Sequence, residues 1–156
     1  MSESSKRGPY RVYIPRDSAA LALGADRVAA AVATEATQRG IAVDIVRNGS
    51  RGLFWLEPLV EVETPAGRIG YSNVQAAQVA ALFDSGWPAC AAQDAEREVP
   101  ADNPDGSWDA PMPACVGRVD AIPYLARQQR LTFARIGVTD PLNPVDYEAH
   151  GGLVGL

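Results

Sequence analysis

Residues 59–75 read Leu-Val-Glu-Val-Glu-Thr-Pro-Ala-Gly-Arg-Ile-Gly-Tyr-Ser-Asn-Val-Gln. Val60 and Val62 alternate with Glu61 and Glu63, the period of two that sends successive side chains to opposite faces of a strand. Thr64-Pro65-Ala66-Gly67 is hairpin-turn chemistry, with proline set for the first central position and glycine last. Arg68–Tyr71 returns as the partner strand. Ser72 stands three residues before Gln75, the spacing of a capping box. It predicts a helix to about Ser85, with Val74, Ala77, Ala81 and Leu82 inward and Gly86 as its stop. The stretch therefore reads β-β-α.

Upstream, residues 1–9 are polar and read as a disordered leader. Arg11–Ile14 is a short strand that stops at Pro15, which has no ladder donor. The segment Arg16–Gly24 reads as a loop. A helix follows over Ala25–Arg39, with Val28, Val32 and Ala36 on one face, Glu35 and Arg39 paired at i, i+4, and Gly40 as its end. Ile41–Val46 is a second, buried strand. The order becomes β-α-β-β-β-α. A right-handed βαβ unit followed by a hairpin and a covering helix is the minimal thioredoxin-like sandwich. The expected fold is α/β, thioredoxin-like, over residues 10–87.

Downstream the pattern breaks. Residues 88–118 hold five prolines, Trp108 and six acids against two arginines, with no period of 2 or 3.6, and read as an insert or linker. Residues 119–156 read as a junction and the truncated start of a further domain. Asp120–Arg130 is a short helix, Leu131–Ile136 a strand, and Asn143-Pro144-Val145-Asp146 a capped helix start.

The chain of 156 residues is 47% apolar, enough for a core, and carries a net charge of −5. Residues 88–118 contribute −4 of it. An acidic chain without a basic stripe argues against nucleic acid. No run approaches the ~20 apolar residues of a membrane helix. With no signal peptide and two isolated cysteines, Cys90 and Cys115, the expectation is a reduced, cytoplasmic protein.

Chemistry belongs in the loop Arg47–Pro58, which leaves the second strand, because ligands sit in loops at strand ends. Ser50 lacks a base, since the only histidine, His150, is far along the chain. Arg47 and Arg51, with the amides of Gly49 and Gly52, could receive an anion or stand as surface arginines. Leu53-Phe54-Trp55-Leu56 could be core, or an exposed contact at which Arg51, Phe54 and Trp55 meet a partner. Pro15–Ala20 offers no Cys-x-x-Cys, which excludes dithiol exchange at the first helix. Cys90, Cys115 and His150 have no close pair of the kind zinc sites use. No residue is assigned a catalytic or metal-binding role.

Two further segments carry a resemblance. Residues 12–28, VYIPRDSAALALGADRV, are similar to the opening of the thioredoxin-like [2Fe-2S] ferredoxins of complex I and related dehydrogenases. On that pattern the four cluster-ligand positions fall on Pro15, Ala20, Ser50 and Phe54, with Pro58 as the following proline. All four thiols are replaced. Residues 124–156, YLARQQRLTFARIGVTDPLNPVDYEAHGGLVGL, together with 46–71, VRNGSRGLFWLEPLVEVETPAGRIGY, closely resemble the β subunit of cytoplasmic NAD-dependent formate dehydrogenases.

The resemblance implies the N-terminal portion of an NADH-linked flavoprotein subunit, with a cluster-free ferredoxin-like domain that packs against other subunits of the complex. It implies FMN, NAD and a [4Fe-4S] cluster for the complete subunit, held by motifs beyond the point matching Leu156, and none in this chain. Two alternatives stand beside it. One is a lone thioredoxin-like adaptor docking through Phe54 and Trp55; the other is a small oxidoreductase using Cys90 and Cys115.

Overall fold

A computed structural model describes residues 8–96 and 112–155; the leader reading at 1–7 and the acids and Trp108 of 97–111 lie outside the described residues. The sheet has five strands: β1 (Tyr10–Tyr13), β2 (Val43–Val46), β3 (Val60–Thr64), β4 (Gly67–Ser72) and β5 (Ala114–Arg118). Their order is β2-β1-β3-β4-β5, with β1 and β2 parallel and every other neighbouring pair antiparallel. The mixed α/β architecture expected from the sequence is observed.

The helix over Ala25–Arg39, α2, has the predicted bounds. An alanine-rich helix of this length is marginal by itself. Val28 and Val32 are buried, each adding about 1.5–3 kcal/mol that propensity alone does not supply. They meet Val12, Ile14, Val60, Val62, Ile69 and Tyr71 from one face of the sheet. Arg39 pairs with Glu35 at 2.9 Å as expected, and also reaches Asp84 on α3 (Val79–Asp84).

The opposite sheet face carries a second apolar cluster, Leu53, Leu56, Leu59, Val116, Val119 and Ile122. A residue larger than glycine at position 70 would not fit between them: its Cβ would sit 2.8 Å from Val116 Cγ2 and Val119 Cγ2. Beyond this cluster the same face is polar, with Tyr13, Glu61 and Arg68.

Several sequence expectations are corrected. Ser72 does not cap a helix; it ends β4 and is buried. The capping box that forms is Gln75 with Gln78, opening a 3-10 turn at Ala76–Gln78 ahead of the short α3. With the start moved, Val74 and Leu82 are buried while Ala77 is exposed. Asn73 takes a left-handed backbone (φ 53), and its amide donates to the carbonyls of Trp55 and Glu57, which competes with a cap.

Within Arg16–Gly24, residues Ser18–Ala22 form α1, capped by Asp17, whose carboxylate accepts from Ala19 N (3.0 Å) and Ala20 N (3.3 Å). β2 is an edge strand and only half-buried. The 88–118 segment is not featureless: Ala91–Glu96 is 3-10 with Ala91 in the core, and Ala114–Arg118 is β5. The proline-rich composition hid both.

Leu131–Ile136 is a run of turns, not a strand, and the helix expected over Asp120–Arg130 is a 3-10 turn at Val119–Ala121 and one turn of helix, α4 (Pro123–Ala126). The final start is as expected: α5 spans Pro144–Ala149, with Asn143 Oδ1 accepting from Val145 N (3.1 Å) and Asp146 N (3.2 Å). Among the described residues no helix is long and apolar enough to cross a membrane.

Candidate functional site

Because β1 and β2 run parallel, their C-terminal ends leave the sheet side by side. Ile14 N donates to Val46 O (3.0 Å) and Arg16 N to Asn48 O (2.8 Å), extending the pairing into the loops. Arg47 clamps them further. Its guanidinium donates to the carbonyls of Ile14 (3.1 Å) and Pro15 (3.2 Å) and to Asp26 (2.7 Å). It is therefore committed to the scaffold, not presented to an anion.

The same holds for Arg51. Its Nε and NH2 donate to Oε1 and Oε2 of Glu61 at 2.6 and 2.8 Å, a two-pronged pair with a carboxylate only 1% exposed. Glu61 was expected to point away from the core, and it does leave the α2 face; burial comes from the arginine laid over it. Arg68 lies 3.6 Å from the other side of that carboxylate and stacks over the Tyr13 ring at 3.4 Å. Arg68 also donates to the carbonyls of Gly137 (2.7 Å) and Val138 (3.1 Å), and Asn48 Nδ2 donates to Gly137 O (2.9 Å). Residues 135–139 are thereby bolted onto the polar sheet face.

Ser50 has a carboxylate partner after all. Its hydroxyl donates to Glu57 Oε1 (2.7 Å) and accepts from Gly52 N (3.0 Å), while Glu57 Oε2 accepts from Leu59 N (2.8 Å). The signal was a glutamate in an apolar run, seven residues on. Burial, aided by the charges of Asp17 and Glu61, pushes the Glu57 carboxyl up to about 7 against the two hydrogen bonds. This serine closes a turn and has no imidazole to activate it.

Glu57 makes stability pH-dependent. Between about pH 4.5 and about 7 the folded chain retains a proton that the unfolded chain has released. Stability falls as pH rises through that window, by about 3 kcal/mol from this group. Glu57→Gln, which imitates the protonated form, is expected to lose that decline and to exceed the parent in stability at pH 8. Urea unfolding of both proteins at pH 5 and pH 8 checks it; an unchanged slope would show that Glu57 does not titrate there.

Around these loops lies a cleft of about 960 Å³. The β1–α1 loop gives Asp17–Ala19, the following loop Gly49–Gly52 and Phe54, and the C-terminal segment Tyr124, Arg130, Leu131, Phe133 and Ile136. Ser50 and Phe54 face it, whereas Pro15 and Ala20 are buried and do not line it. The quartet Leu53–Leu56 divides: Leu53 and Leu56 are core, while Phe54 is 60% and Trp55 46% exposed. Trp55 meets Tyr124 edge-on at 5.4 Å between centroids.

An iron–sulfur cluster does not fit these residues. Proline and alanine have no ligating atom, Phe54 is a hydrocarbon ring, and the Ser50 hydroxyl is bound to a carboxylate; cluster irons are held by thiolates. Cys90 and Cys115 line a different cleft of about 370 Å³ beside Tyr71, Trp87 and Asp94. Burial, then the charge of Asp94, raises the Cys90 thiol, which disfavours the nucleophilic thiolate. Among the described residues no group of three His, Cys, Asp or Glu side chains could hold a metal ion. Compared with protein-family models and with curated protein sequences, the chain matches none.

Proposed function

We propose that this chain is a thioredoxin-like domain that has lost its cluster ligands and serves as the docking, non-catalytic N-terminal portion of an NADH-linked flavoprotein subunit of a cytoplasmic NAD-dependent formate dehydrogenase. The complete subunit would pass electrons between NADH, FMN and iron–sulfur clusters; this portion holds subunits together. One observation carries the reading. The strand-end loops 15–20 and 47–54 converge around a cleft, and the four positions matched to cluster thiols are Pro15, Ala20, Ser50 and Phe54. The sheet order, with β3 antiparallel to both neighbours and α2 and α3 on one face, supports the thioredoxin-like assignment.

The exposure of Phe54 and Trp55 favours a second reading, the same domain as an independent adaptor. Two measurements separate the outcomes. Purified protein is expected to be colourless and free of iron and flavin; a visible band with stoichiometric iron would overturn the loss of the cluster. Co-expression with the remaining subunits of an NAD-dependent formate dehydrogenase is expected to give a stable complex. Its absence would leave the adaptor reading.

A further inference from the structure

We propose that the cleft between the two strand-end loops and residues 124–136 is a groove for a protein segment that carries acidic and large apolar side chains together. The proposal rests on the docking role, not on the enzyme to which the domain belongs. Five large apolar side chains, Phe54, Tyr124, Leu131, Phe133 and Ile136, border the one cavity. Leu131 is 91% exposed and Phe133 62%. A small molecule lying in the cleft would leave side chains that project this far in water, because small-molecule sites enclose most of their ligand. A macromolecular partner covers them.

Charge selects the partner. The whole chain carries −5, yet between Asp120 and Asp140 there are three arginines, Arg127, Arg130 and Arg135, and no acid. Arg130, in the cleft wall, donates to Gln128 Oε1 (2.7 Å) and Arg51 O (2.8 Å). Among the described residues no carboxylate lies within ion-pair distance of Arg16, Arg127 or Arg130, whereas Arg11, Arg39, Arg47, Arg51 and Arg118 all have one. The acid lining the cleft, Asp17, caps α1 through Oδ1, and its Oδ2 is buried without a hydrogen-bond partner. Apolar walls with the guanidinium of Arg130 among them match aspartate or glutamate flanking leucine or an aromatic residue. The apolar groups wall a concavity, which an extended or helical segment can enter and a flat bilayer cannot. A membrane surface is therefore the less fitting anionic partner.

The test pans a phage library of random 12-residue peptides against the full chain. Selected sequences are expected to be enriched in acid next to Leu, Phe or Trp. Synthetic copies should lose at least tenfold in affinity to Arg130→Gln and to Leu131→Ser, and weaken as salt rises. Leu131 is almost fully exposed, so its replacement leaves the core intact, and circular dichroism verifies that each variant folds. Failure to select, selection of basic or purely apolar peptides, or equal binding by both variants overturns the proposal. So does sedimentation of the chain as a dimer that Leu131→Ser dissociates, which makes a second copy the occupant. Binding to anionic phosphatidylserine vesicles that competes with the peptides also overturns it, in favour of a lipid surface. None of these outcomes depends on iron content or on assembly with dehydrogenase subunits.

Discussion

Arg51→Met is expected to destabilise the fold by on the order of 3–5 kcal/mol, the range for removing one partner of a buried ion pair. Glu61 is 1% exposed, and Arg51 supplies both of its short hydrogen bonds. Arg68 cannot step in. It is 3.6 Å away and already holds the carbonyls of Gly137 and Val138. The stranded carboxylate would have to take up a proton or draw in water. Small domains have only about 5–15 kcal/mol to lose. The double variant Arg51→Met with Glu61→Leu is expected to recover most of the loss, because exchanging a whole buried pair for apolar side chains is often neutral. Urea denaturation of the four proteins in a double-mutant cycle measures the coupling. A cost below about 1 kcal/mol for Arg51→Met would mean that the pair behaves as a surface contact.

Gly137→Ala is expected to come close behind. Gly137 has φ +77, a left-handed backbone costing an L-residue about 1–2 kcal/mol. Its added Cβ would also lie 2.5 Å from Arg51 Cγ. The arginine must then shift, which loosens its grip on Glu61, so the total is expected to be about 3 kcal/mol or more. The same change made in an Arg51→Ala background, which has no Cγ to meet the new Cβ, should cost only the backbone part. Equal costs in both backgrounds would show that the two residues are not coupled. Limited proteolysis gives a second readout, with new cleavage expected near residues 131–139.

Much of the first half of the fold was legible because its signals are local. Helix α2 announces itself by a 3.6-residue apolar stripe and a glycine stop, and the β3–β4 hairpin by alternation around Pro65-Ala66. The failures came where a distant partner decides. Ser72 and Gln75 have the spacing of a cap, but Ser72 is taken by the pairing of β4 with β5, a strand that arrives more than 40 residues later. Leu131–Ile136 has strand-like composition, yet Arg68 and Asn48 hold the carbonyls just beyond it in a turn. In the candidate site the loop could be read from sequence, but the exposure of Phe54 and Trp55 could not, since the apolar quartet Leu53–Leu56 reads equally as core or as contact. Glu57 and Glu61 could not, since nothing in a local window distinguishes a solvated glutamate from one covered by an arginine. Arg51, named as a partner contact, is turned inward; among the described residues Arg130 is the cleft-lining arginine without an ion pair.

The fastenings of residue 137 have a consequence for how the protein is made. Asn48 and Arg68 meet Gly137 at sequence separations of 89 and 69, and Arg130 meets Arg51 at 79. On the ribosome, α2 and the first four strands emerge and can collapse while these donors still face solvent. The cleft acquires its far wall only when residues 124–141 leave the exit tunnel. Contacts of such long sequence separation form late, so a nascent chain stalled before residue 130 would hold a sheet and no groove.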